Sequence, residues 1–203
     1  DLSKRKYRFI IVSSTFMSKV DIWNCVSTEQ IADCRVFRVR QDHCIRNGNG
    51  QTSDFYVIES PDWVNVIPVT GEGDIVMIEQ FRQGTREVTL ELPGGMIDDG
   101  EEPEAAARRE LLEETGYTST DWVLIGASRP NPALQSNTMY HYLARNCKKT
   151  SEISLDENES IAAKLVTRDE AETLIADGTI THSLVVAAFL YQRIFDGRDR
   201  ISQ

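Results

Sequence analysis

The chain has 203 residues, 22 of them basic and 32 acidic, for a formal net charge of −10. That balance argues against duplex nucleic acid as a partner, because phosphate contacts need a lysine- and arginine-rich surface. The longest apolar stretch, 184–190, is far too short to span a bilayer. What remains is a globular protein with room for one well-packed domain and a small N-terminal appendage.

Residues 1–16 carry basic residues and then a short apolar run, but the run is shorter than a signal-peptide core and no small-residue cleavage site follows. They are read as lying upstream of an initiator at Met17. Cys25, Cys34, Cys44 and Cys147 form no CxxC pair and have no histidine at zinc-finger spacing. Free thiols in a reducing cytosol are preferred over a disulfide among the three N-terminal ones, and the expected location is cytoplasmic.

Alternation predicts a strand at 33–40, the cluster Asn47-Gly48-Asn49-Gly50 a turn, and 54–59 a second strand closing a hairpin. Residues 17–53 are expected to form a small β appendage ahead of a main domain at 54–198. Apolar runs at 63–69 and 74–80, divided by Gly71-Glu72-Gly73, predict another hairpin, followed by a strand at 87–92 and the loop Pro93-Gly94-Gly95. Pro103 suits a first helical turn and Gly116 a helix C-terminus, so a helix is expected over 103–115. Strands at 122–127 and 138–144 flank a Pro/Asn loop, and a strand at 161–166 follows a polar stretch. Thr167 with Glu170 predicts a capped short helix, and Ser183 the cap of a final helix reaching about Phe195. Trp63 and Phe55 are candidates to stack on a base, but aromatics at strand spacing are more often core, and that reading is preferred.

The helix at 103–115 carries the chemistry. At about 100° per residue, Glu110, Glu113 and Glu114 share one face, while Ala105, Leu111 and Leu112 point toward a core. Three carboxylates at that spacing repel one another unless a cation sits among them, which makes a site for hard divalent metals. Glu110 and Glu114 are the main candidate ligands, with Glu113 close behind, and Gly94 lets a backbone carbonyl approach the ion. Arg109, the cation beside these acids, is placed to orient one glutamate by a forked hydrogen bond. A merely solvated acidic helix would explain neither the glycines nor this arginine.

Gly95, Glu101, Arg109, Glu110, Leu111, Glu113, Glu114, Gly116 and Tyr117 fill every fixed position of the Nudix box, and the chain resembles the Nudix hydrolases. The resemblance implies an α/β/α sandwich around a mixed β-sheet. The stretch VMIEQFRQGTREVTLELPGG is similar to the ADP-ribose pyrophosphatase branch, whose mark, a proline beyond the box, falls on Pro132. This implies an enzyme that splits the diphosphate of a nucleoside diphosphate sugar, ADP-ribose first, into a nucleoside monophosphate and a sugar phosphate. It implies Mg²⁺ as cofactor, with Mn²⁺ as substitute, and a homodimer paired through N-terminal strands. Arg82 matches a substrate-binding arginine, and Glu91 stands where it meets a substrate hydroxyl or holds the loop. Glu157, ahead of Glu159, matches the acid that supplies the catalytic base, with Glu113 as the alternative. Amides at Asn131, Gln135 and Asn137 replace an acid usual after the box, which keeps GDP-mannose or another nucleotide sugar open. Nucleoside triphosphate hydrolysis, or nucleotide sensing without cleavage, are the rival activities.

Overall fold

The computed structural model describes residues 20–155 and 160–201; the expectations for residues 1–16 and for Glu157 and Glu159 lie outside the described residues. Three strands, β1 (Trp23–Asp33), β2 (Arg38–Arg46) and β3 (Thr52–Glu59), form an antiparallel sheet in that order. Of the strand expected at 33–40, residues 38–40 begin β2 and pair with β3 as the expected hairpin, but 34–37 are the turn between β1 and β2. The Asp33 carboxylate accepts the Arg35 N–H at 3.0 Å and Arg35 adopts φ 68°, so the chain reverses where the side-chain pattern alternates. The boundary expected at 54 falls inside β3, which pairs along its length with β2.

The larger sheet is built from β4 (Trp63–Thr70), β5 (Ile75–Arg82), β6 (Glu87–Glu91), β7 (Tyr117–Thr118), β8 (Asp121–Ser128), β9 (Met139–Lys149) and β10 (Ile161–Val166). Its main path runs β10-β5-β4-β9-β7, with β6 on β5 and β8 on β9. The β4–β9 pair is parallel and the others antiparallel, giving the mixed sheet expected. Helices α1 (Pro103–Thr115), α2 (Arg168–Ala176) and α3 (Ser183–Ile201) complete the described elements.

Strand β4 reads WVNVIPVT, apolar on both faces, and accordingly sits at the centre of the sheet. Val64 and Val66 face α1, packing with Ala106, Ala107, Leu111 and Tyr142. Ile67 faces the other way, with Leu143 of β9, Ile180, and Val185 and Phe189 of α3. Two cores back to back make the α/β/α sandwich. Helix α1 thus buries Ala106, Ala107 and Leu111, whereas Ala105 and Leu112, expected inside, are exposed. The helix ends at Gly116 in the left-handed region (φ 74°), whose N–H bonds to the Leu112 carbonyl at 2.8 Å. Thr167 caps α2 as expected, accepting the Glu170 N–H at 3.2 Å. The cap of α3 lies one residue earlier than expected: His182 accepts the Leu184 N–H on Nδ1 at 3.3 Å, and its carbonyl takes the N–H groups of Val185 and Val186.

A buried polar chain ties α3 to the sheet. The His141 ring stacks on Tyr191 at 5.2 Å and is fully buried. Its Nδ1 lies 2.8 Å from Asn65 Oδ1, while the Asn65 amide nitrogen donates to the Leu184 carbonyl at 3.1 Å. The amide oxygen must therefore accept, the proton sits on Nδ1, and Nε2 takes the Ser128 hydroxyl at 2.9 Å. Burial pushes the His141 pKa down to about 4 from 6.5. Between those values an unfolded chain binds a proton that the native protein refuses. Stability contributed by the neutral ring is therefore full above pH 6.5 and falls on acidification toward pH 4, by about 3 kcal/mol in all. Urea denaturation of wild type and His141→Gln at steps from pH 7.5 to 4 is expected to show this extra acid slope in the wild type only.

Candidate active site

The loop after β6 is sealed against β4 rather than β5. Val64 and Val66 donate their N–H groups to the carbonyls of Gly95 and Pro93, both at 2.9 Å. Gly94, between them, donates its own N–H to Glu114 Oε2 at 2.8 Å. A side chain at Gly94 would collide with the Val64 carbonyl and the Asn65 backbone, and one at Gly95 with the Glu110 carboxylate. The two glycines thus let the loop lie flat between the central strand and the acidic face of α1.

Arg109 organises that face. Its Nε and Nη2 fork onto the two oxygens of Glu101 at 3.1 and 3.0 Å, and Nη2 also reaches the Met96 carbonyl at 3.1 Å. Nη1 contacts Glu110 at 2.8 Å and Glu113 at 3.3 Å. The fork therefore goes to Glu101 across the loop, not to an acid on its own helix. The Glu101 hydrogen bonds raise the Arg109 pKa most, burial opposes them, and Glu110 adds to the rise, so the guanidinium stays charged. In return, Arg109 holds Glu101 below the usual carboxylate range. Glu114 is buried, Glu110 nearly so, and Glu113 about half exposed.

Glu110 and Glu114, one turn apart beside the Gly94–Gly95 backbone, present oxygen donors only. That chemistry fits a hard divalent cation, which takes one or two carboxylates and keeps part of its water. Among the described residues no three His, Cys, Asp or Glu side chains close into a cage by themselves.

From this loop a cleft of about 390 Å³ opens past Trp63, Asn65, Arg82, Glu91 and Met139 to the start of α3. Arg82 forks onto Glu91, Nε to Oε1 and Nη2 to Oε2, each at 2.8 Å, and Thr89 donates to Oε1 at 2.5 Å. Burial alone would raise the Glu91 pKa, but the hydrogen bonds from Arg82 and Thr89 and the charge of Arg82 outweigh it. Glu91 is held below its ordinary value and stays anionic. Val36 and Phe37, from the turn between β1 and β2, close the far wall.

Of the residues singled out in the sequence, Glu110, Glu113, Glu114, Arg109 and Gly94 are thus brought together at the helix and loop. Arg82 and Glu91 stand in the cleft. Trp63 lines the cleft instead of the core, and Phe55 packs edge-on against Trp23 in the small sheet, ring centres 5.1 Å apart. Pro132 is exposed on the turn 131–134 and does not line the cleft. His182 and Asn65 went unnoticed in the sequence. A polar residue inside the apolar run WVNVIPV was the available signal for Asn65; nothing local marked His182.

A family model described as the NUDIX domain matches residues 60–189. The chain belongs to the Nudix family. It is similar to the methanol dehydrogenase activator of Bacillus methanolicus, 34% identical over 181 residues that cover 88% of this chain and 96% of that protein. It is also similar to the ADP-ribose pyrophosphatase of Bacillus subtilis (strain 168), 33% identical over 147 residues, 72% of this chain and 80% of that one. Among solved structures, one described as an ADP compounds hydrolase superposes with a TM-score of 0.78 at 23% identity, over 90% of this chain and 99% of that chain. At that identity the likeness carries the fold alone.

The two loop glycines are not equivalent for this Nudix protein. Gly94→Ala must move backbone and is expected to cost more than about 2 kcal/mol, whereas Gly95→Ala displaces only the Glu110 carboxylate and is expected to cost less. Urea denaturation of the two variants checks the difference.

Proposed function

We propose that this Nudix protein hydrolyses the diphosphate bond of a nucleoside diphosphate sugar, ADP-ribose first, releasing a nucleoside monophosphate and a sugar phosphate. The supporting observation is the juxtaposition of two differently built polar centres along one cleft. One end is lined by Gly94 and Gly95, against which the carboxylates of Glu114 and Glu110 pack, and further along stands the Arg82–Glu91 pair. The first suits a cation and a diphosphate, the second a sugar. The names of relatives, an ADP-ribose pyrophosphatase among them, favour the same substrate class.

Mg²⁺, with Mn²⁺ as substitute, is the cation we assign to Glu110, Glu114 and the Gly94 backbone, with Glu113 beside them; when bound it would neutralise phosphate oxygens and acidify the attacking water. Arg109 holds the acids apart and in place through Glu101 and Glu110. Arg82 contributes charge to the phosphate–ribose side of the cleft, and Glu91 fixes its guanidinium plane. Glu157, with Glu159 as its neighbour, is assigned from sequence as the base that takes the proton of the water, Glu113 being the alternative. A homodimer is supported by the small sheet, where β1 leaves Val26 and Ile31 exposed beside Ile22. A cytoplasmic location rests on the free cysteines.

A panel of ADP-ribose, GDP-mannose, other nucleotide sugars and nucleoside triphosphates with Mg²⁺, products separated by chromatography, tests the proposal. Turnover of a nucleotide sugar to a monophosphate and a sugar phosphate is expected. Binding without products would leave a sensing module, and release of pyrophosphate from triphosphates would move the chain to the rival activity. Glu114→Gln keeps an acceptor for the Gly94 N–H yet holds a hard cation poorly, and Glu157→Gln removes the assigned base. Each is expected to lower kcat by roughly 10²–10⁴-fold with the fold intact, read from steady-state rates at saturating Mg²⁺.

A further inference from the structure

His182 enters the cleft as the cap of α3, and its ring is held in one orientation and one tautomer. Nδ1 accepts the Leu184 N–H at 3.3 Å, so the proton of the neutral ring sits on Nε2. That nitrogen stands 3.7 Å from Glu91 Oε2, beyond hydrogen-bond length. Neither side can close the gap cheaply. Glu91 is pinned by both arms of Arg82 and by Thr89, and the first turn of α3 is tied to β4 by the bond from Asn65 to the Leu184 carbonyl. The ring is about a third exposed, and both His182 and Glu91 line the cleft.

The gap therefore offers an N–H donor on one side and an anionic acceptor on the other. A phosphate oxygen would meet the Glu91 charge and has no hydrogen to give it. An ammonium group could donate to Glu91 but has no lone pair to accept from His182. A hydroxyl does both. Resting on the nucleotide-sugar activity proposed above, we propose that His182 is a specificity-determining residue that, together with Glu91, holds one hydroxyl of the bound nucleotide sugar. The contact involves neither the Glu110 nor the Glu114 carboxylate. It acts on binding before and during reaction alike, so its loss raises KM and leaves kcat nearly unchanged.

The test uses His182→Asn and His182→Gln on the full chain. Asparagine preserves an acceptor at the Nδ1 position, where it caps helices well, but loses the reach of Nε2. Glutamine places an amide N–H near the Nε2 position. Kinetics are measured on the preferred nucleotide sugar and on its monodeoxy analogues, each lacking one hydroxyl, with thermal melting of every variant. His182→Asn is expected to melt like wild type and to raise KM about 5–10-fold on the parent substrate, with kcat within about twofold. On one monodeoxy analogue the penalty vanishes, and His182→Gln recovers most of the wild-type KM on the parent. A penalty equal on the parent and on every analogue overturns the proposal, as does no penalty at all. Wild type that turns over no nucleotide sugar takes down the proposed activity and this inference with it. Wild-type turnover with an unaffected His182→Asn takes down this inference alone.

Discussion

Arg109 is the contact on which the rest of the site depends. Helix α1 places three glutamates on one face, and Glu101 approaches from the loop that precedes it. In isolation those carboxylates repel and would splay outward or unwind the turn that carries them. One guanidinium spreads its donors over Glu101, Glu110, Glu113 and the Met96 carbonyl, which ties the helix to the loop 94–101. Lysine, a point charge on a flexible stem, cannot fork onto one carboxylate while serving two others. With Arg109 holding that edge, Glu114 turns inward to the Gly94 N–H, and a buried carboxylate stands at the centre of the site.

The central strand supplies the other constraint. Because β4 is buried on both faces, alternate residues serve opposite layers: Val64 and Val66 pack under α1, while Asn65 turns toward α3. The same strand accepts the glycine loop along its edge through the N–H groups of Val64 and Val66. The Gly94–Gly95 end of the cleft and the His182 end are thus referenced to one rigid element. The polar chain Ser128–His141–Asn65–Leu184 carries that reference across the sheet, and its neutral, desolvated histidine is the cost of placing polar anchors inside an apolar layer.

How much of this was legible varied with how local the determinants are. Pro103 and Gly116 bracket α1 by their own backbone preferences, and its ends were read correctly from sequence. The box residues likewise lie close along the chain, so their spacing alone identified the acidic face. Strand β1 escaped notice because it is exposed along nearly its whole length and bears no alternating pattern; its pairing with β2 defines it. The turn at 34–37 was misread since Val36 and Phe37 are apolar, yet they face the cleft from a loop. Leu112 and Ala105 were placed inside by a wheel too coarse to tell a stripe three residues wide from its flank. His182, Glu91 and Arg82 come from three separate elements, and only the folded sheet brings a histidine at a helix cap within 3.7 Å of a buried carboxylate.

If Arg109 organises the helix acids so that Glu110 and Glu114 can hold a divalent cation, metal affinity depends on its fork onto Glu101. Calorimetric titration of Mn²⁺ into wild type and Arg109→Lys, with circular dichroism to confirm equal helix content, tests it most directly. The variant keeps the positive charge but not the fork onto Glu101, so about 10–100-fold weaker metal binding is expected with the fold preserved. Equal affinity in the two proteins would contradict it, because the acids would then hold the ion without Arg109.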